Sequence, residues 1–107
     1  MFYEIHKVSL LLPKHEMYEL SSQIRRSADS VNSNIVEGYG RKRYKADFIR
    51  FLVYSHASCL ETKAYLIKIN HLYKRLIVDN ERYILEYDNL GAKIFKFIKY
   101  IESYWKT

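Results

Sequence analysis

The stretch "NIVEGYGRKRYKADFIRF", residues 34–51, decides how the rest of the chain is read. Two of the chain's three glycines flank Tyr39, and four of the five residues after Gly40 are basic. Three readings compete: a phosphate cradle, an RNA-binding turn, or only the corner between two helices. A phosphate-binding loop follows a strand and ends in Gly-Lys-Ser/Thr at the start of a helix. Here residues at helical spacing precede the glycines, and no Ser or Thr follows the lysine. A helix–helix corner remains, in which Gly38 is expected to supply a left-handed C-cap for a helix ending near Glu37.

Upstream of the corner, Met17, Leu20, Ile24, Ala28, Val31 and Ile35 step by 3 or 4, keeping one apolar stripe on one side of a helix. Beside it runs a second stripe of small or polar residues: Gln23, Ser27, Ser30, Asn34 and Glu37. Small side chains let a second helix come close, and the polar ones must then find partners or water. Downstream, Phe48, Leu52, Ser55, Cys59, Thr62, Leu66 and Ile69 mark a helix over about 44–72 that neither Gly nor Pro interrupts. After a turn near "YKRLIVDN", Asp79 is the expected N-cap of a last helix over about 80–105. That helix carries Tyr83, Tyr87, Leu90, Ile94, Phe97, Ile101 and Tyr104, and its Gly91 costs about 1 kcal/mol against Ala. At the other end, Pro13 closes a short amphipathic segment with Phe2, Ile5, Val8 and Leu12 on one face.

Composition agrees. Three Gly and one Pro in 107 residues cannot supply the turns of an all-β chain, and 49% hydrophobic content excludes disorder. The fold expected is all-α: an up-down four-helix bundle with a short first helix, a single domain over residues 1–107. Helices of some 25 residues run about 37 Å, and the first reaches less than half of that. Apolar stripe is therefore left uncovered at one end, which predicts association with another copy. A single cysteine, Cys59, rules out an intrachain disulfide, and no long apolar run could span a membrane; a cytoplasmic protein is expected.

The charge is +6, and residues 41–50 hold five cations against Asp47, a net +4 of that total. Arg41, Lys42, Arg43 and Lys45 open a helix, where cations oppose the macrodipole, so helix stability does not account for them. Tyr39 and Tyr44 bracket the run and could stack on unpaired bases while the cations pair with phosphates. The plainer reading is a solvated bundle end. Arg25 can pair with Asp29, and Arg26 lies off the apolar stripe on the side of Ser30 and Ser33. Lys93, Lys96 and Lys99 form a basic ridge whose ordinary reading is a solvated face. His56 and Cys59 share a helix face at metal-ligand spacing, but a structural zinc needs four ligands, and Cys59 sits on the core stripe. His6, His15 and His71 stand in no catalytic arrangement. No enzyme, cofactor or small-molecule substrate is expected.

The run "LSSQIRRSADSVNSNIVEGYGRKRYKADFIRFL", residues 20–52, resembles the signature of the four-helix bundle proteins encoded within 23S rRNA intervening sequences. Ser22, Gln23, Arg25, Arg26 and Ser27, then Asn34, Ile35, Glu37 and Gly38, then the basic turn Arg41 to Lys45, then Phe48, Phe51 and Leu52 carry the likeness. It implies an up-down bundle assembled into a ring-like homo-oligomer, a pentamer, and kinship with the basic accessory proteins of diversity-generating retroelements. It also implies a polar network among Gln23, Arg25, Arg26, Asn34 and Glu37, between helices or subunits. This chain departs from the pattern in its first helix, which is shorter than the family's. The expected function is RNA binding through the corner by Arg41, Lys42, Arg43 and Lys45 with Tyr39 and Tyr44. Its rival is a protein-interaction scaffold with no nucleic-acid role.

Overall fold

Pro13 ends the first helix as its position requires. In a computed structural model, which describes residues 2–106, α1 spans Phe2–Leu11, and a single 3-10 turn, Lys14–Glu16, redirects the chain. Three longer helices follow: α2 over Leu20–Gly40, α3 over Lys45–Leu72 and α4 over Asn80–Tyr104. The short connections, residues 41–44 and 73–79, force consecutive helices to run antiparallel. The four-helix, all-α architecture expected from the periodicity is thus what forms, and no strand occurs among the described residues. No described helix is long and apolar enough to cross a membrane.

Helix α3 is the spine, packed against α2 on one side and α4 on the other, while α1 lies along the N-terminal half of α2. Every residue of the expected α3 stripe is buried, from Phe48 through Leu52, Ser55, Cys59, Thr62 and Leu66 to Ile69. On α2, Leu20, Ile24, Ala28 and Val31 are buried as their spacing implies. Met17 is not, because it belongs to the turn before the helix and stays exposed.

The small-residue stripe of α2 meets a matching set on α3. Thr62 Oγ1 lies 2.9 Å from Ser27 Oγ and donates a 2.8 Å hydrogen bond to the Ser58 carbonyl. Ser58 Oγ donates to Ser30 Oγ at 2.9 Å, and Ser55 Oγ donates to the Val31 carbonyl at 2.7 Å. Buried hydroxyls are thereby satisfied across the seam, which short side chains keep narrow.

Two local expectations are corrected. Gly38 does not cap α2 in a left-handed conformation: the helix continues to Gly40, and no described glycine has positive φ. It is a point of close approach, where an added Cβ would lie 3.1 Å from Phe51 Cβ and 3.4 Å from the Phe48 carbonyl oxygen. Asp79 occupies the N-cap position of α4 but makes no capping hydrogen bond; its carboxylate sits 3.7 Å from Arg82. The next residue, Asn80, is buried and donates 2.9 Å to the Leu66 carbonyl, tying the start of α4 to α3.

The length mismatch shows on α4. Tyr83, Leu90, Phe97 and Tyr104 recur every seven residues along one stripe. Tyr83 and Leu90 pack against the core, whereas Phe97 and Tyr104 are 42% and 71% exposed. Beyond the reach of α1, the core is completed by Ile94, Ile98 and Ile101 instead.

Candidate nucleic-acid interface

The corner is a tight turn built by the backbone of residues 38–44. Arg41 N–H donates to the Gly38 carbonyl at 3.0 Å, Lys42 N–H to Tyr39 at 3.2 Å, and Tyr44 N–H to Arg41 at 2.8 Å. The C-terminus of α4 lies against this turn. Trp105 donates its indole N–H to the Lys42 carbonyl at 3.0 Å and sets its ring edge-on to Phe48, centroids 5.3 Å apart.

The four expected cations divide into two pairs. Arg41 is held by Glu37, with Nε donating to Oε1 at 3.0 Å, and stands 3.6 Å from Asp47. Arg50 reaches the same Asp47 at 3.4 Å, and both guanidiniums lie about 5 Å from the Phe51 ring centroid. Lys45 donates a 2.9 Å hydrogen bond to the Glu102 carbonyl, one of the last acceptors of α4 that no helical N–H can reach. These two cations therefore have structural work, contrary to the expectation that local stability does not explain them. Lys45 opposes the dipole of its own helix and satisfies the end of another.

Lys42 and Arg43 have no carboxylate partner among the described residues. The Lys42 ammonium rests 3.8 Å from the centroid of the Tyr39 ring and, by hydrogen bonding and charge, lowers the pKa of the Tyr39 phenol. Arg43 and Tyr44 line a shallow open depression with Lys45, Ala46 and Ile49. Tyr39 and Tyr44 are both about 60% exposed, although the Lys42 ammonium already covers one face of the Tyr39 ring. All six expected residues share one end of the bundle: Tyr39 with Lys42, Arg43 and Tyr44 with Lys45 around the depression, and Arg41 held by Glu37.

The chain's likeness to known proteins extends well beyond this segment. A family description, 23S rRNA-intervening sequence protein, matches residues 1–96. The chain belongs to this family. No curated protein and no solved structure matches closely enough to add to that.

The polar residues that the family signature singles out are dispersed here. Asn34 donates to the Ser30 carbonyl at 2.8 Å and joins the α2–α3 seam. Arg25 donates to Ser9 Oγ at 3.2 Å, binding α2 to α1 rather than pairing with Asp29. Glu37 serves Arg41, and Gln23 and Arg26 are exposed. The network that does form runs through Ser55, Ser58 and Thr62, whose partners on α2 were legible only as a stripe of small residues. The lysine ridge on α4 also separates. Lys93 faces the α2 side, Lys96 borders His56 on the α3 side, and Lys99 stands 3.6 Å from Glu102.

His56 and Cys59 do not converge. The His56 ring lies 6.1 Å from that of Phe95, while Cys59 is fully buried with its thiol donating to the Tyr87 carbonyl at 3.1 Å. Burial pushes that thiol up to about 11, with Asp88 adding to the effect. A neutral thiol in the core packs as a small apolar group. Among the described residues, no group of three or more His, Cys, Asp or Glu is placed to hold a metal ion.

Proposed function

We propose that the protein is a non-catalytic, homo-oligomeric bundle that binds RNA through the α2–α3 corner. Ribosomal RNA is the first candidate, given the family. The observation that carries this reading is the pair Lys42 and Arg43, cations without carboxylate partners among the described residues, standing between two exposed tyrosines. Charge that is neither paired nor capping a helix is available to phosphate, and phosphate contacts supply most of the non-specific affinity for nucleic acid.

Assembly is supported by a second apolar seam on α3. Val53, Ala57, Leu60, Ala64 and Ile67 step by 4 and 3 along its outer face, and all five are exposed. That spacing is the one with which helices of different chains interlock. The proposed assembly is a closed ring, a pentamer on the pattern of the resemblance, which would repeat the corner and make modest local charge effective.

The test is fluorescence anisotropy of a labelled ribosomal RNA fragment at several salt concentrations. Wild-type protein is compared with Lys42→Ala/Arg43→Ala, which leaves Arg41 and Lys45 to hold the turn. The expected result is affinity that falls steeply with salt, and a log–log slope lowered by about 1 to 2 in the variant at unchanged oligomer mass. Equal binding by both proteins would remove the corner from the interface. No binding by either would favour the scaffold reading, in which the outer seam of α3 carries the function and the charge is incidental.

A further inference from the structure

The exposed half of the α4 stripe calls for an explanation that the fold does not provide. Lys93, Phe97, Tyr100 and Tyr104 fall at i, i+4, i+7 and i+11, on one line down the helix toward the corner. The three rings are 42%, 50% and 71% exposed. The Phe97 and Tyr100 centroids lie 6.3 Å apart with planes 7° from parallel, and Tyr100 and Tyr104 are 5.5 Å apart. Across from them, Tyr39 and Phe97 line the two sides of a slot of about 200 Å³ floored by Phe48 and Leu52. Lys93 borders that slot and Lys42 lies over Tyr39, and no acidic residue lines it.

We propose that the RNA bound at the corner is an unpaired strand, whose bases stack on the rings of Phe97, Tyr100 and Tyr104 while Lys42 and Lys93 meet its phosphates. This rests on the RNA-binding reading and names the class of RNA. An aromatic stripe beside cations that have no carboxylate partner among the described residues suits single strands, because every unpaired base offers a face to a ring, whatever the sequence. A duplex hides those faces in its own stack and would use only the cations. Phe97 touches the core edge-on at Phe48, but Tyr100 and Tyr104 exceed what the core requires, since Ile94, Ile98 and Ile101 already fill it at that level. Three exposed rings on one line give room for about three bases.

Four labelled probes decide the matter. They are a 12-nucleotide mixed-sequence RNA, its duplex, an abasic strand with the same number of phosphates, and the ribosomal fragment used above. Single-stranded RNA is expected to bind at least about tenfold more tightly than the duplex or the abasic strand, since each stacked base contributes roughly five- to a hundredfold. Tyr100→Ala/Tyr104→Ala should lose about tenfold or more on the single strand and nothing on the abasic one. Tyr100→Phe/Tyr104→Phe, which keeps the rings, should bind as wild type does.

Equal binding of single-stranded, duplex and abasic probes, still dependent on Lys42 and Arg43, would overturn the stacking proposal and leave the corner reading intact. So would an alanine variant of altered oligomer mass, because the stripe would then be a contact between copies. Failure of every probe to bind wild-type protein would remove the corner reading and this inference with it.

Discussion

A methyl group added to Gly38 would meet Phe51 Cβ at 3.1 Å, an atom fixed to the backbone of the neighbouring helix, whereas one added to Gly40 meets nothing within 4 Å. Both glycines are helical, so both gain from the better helix propensity of alanine. Overpacking outweighs that gain at one position only. Gly38→Ala should lower unfolding free energy by about 1–2 kcal/mol, and Gly40→Ala should leave it unchanged or raise it by up to about 1 kcal/mol. Urea denaturation of the two variants at matched concentration measures both. A glycine after a helical stripe reads locally as a cap, and nothing in its neighbours along the chain reveals that Phe48 and Phe51 press on it from another helix. The same limit applies to the cations. Along the chain, the members of a basic run look equivalent. The fold separates them: Arg41 is clasped by Glu37 and Asp47, while Arg43, two residues on, has no such partner among the described residues.

Helix α3 was fully legible because its inner stripe is buried from end to end between α2 and α4. Helix α4 was legible in part. Tyr83 and Leu90 pack inward, Phe97 reaches the core only with a ring edge against Phe48, and Tyr104 stays out, although the four share one seven-residue repeat. Periodicity reports which residues share a face, and it does not report how far a neighbouring helix extends along that face. The shortness of α1 was visible from Pro13; where its cover would end on α4 was not. Contacts between distant segments were invisible for the same reason, above all the bond from Lys45 to the last turn of α4, 57 residues away. Lys45→Ala should cost about 0.5–1 kcal/mol and speed amide exchange in that turn, with the first turns of α4 unaffected. Uniform exchange along α4 in wild type and variant would show that the lysine caps nothing.

At the scale of the molecule, α3 carries two opposed seams, one spent on α2 and α4, the other facing out. On the proposed reading, the outer one ties RNA affinity to assembly. Leu60→Glu places a charge at the middle of the exposed seam, more than half of whose central side chain is open to solvent in the single chain (53%). The fold of the subunit should survive, because Leu60 lies outside the buried core. Sedimentation should show the assembly falling apart, and RNA affinity should drop at least about tenfold although the corner is untouched, since linked sites exceed single ones by larger factors than that. A variant that stays assembled would move the subunit contact elsewhere on the surface.

Trp105 is the only tryptophan in the chain. Its indole is bonded to the Lys42 carbonyl and set against Phe48, at the place where the end of α4 meets the turn between α2 and α3. The protein thus carries its own optical probe, seated beside Lys42 and one residue beyond Tyr104. Emission from that single indole registers events at the corner with no label attached, and separates them from events at the α1 end, which has no indole to report them.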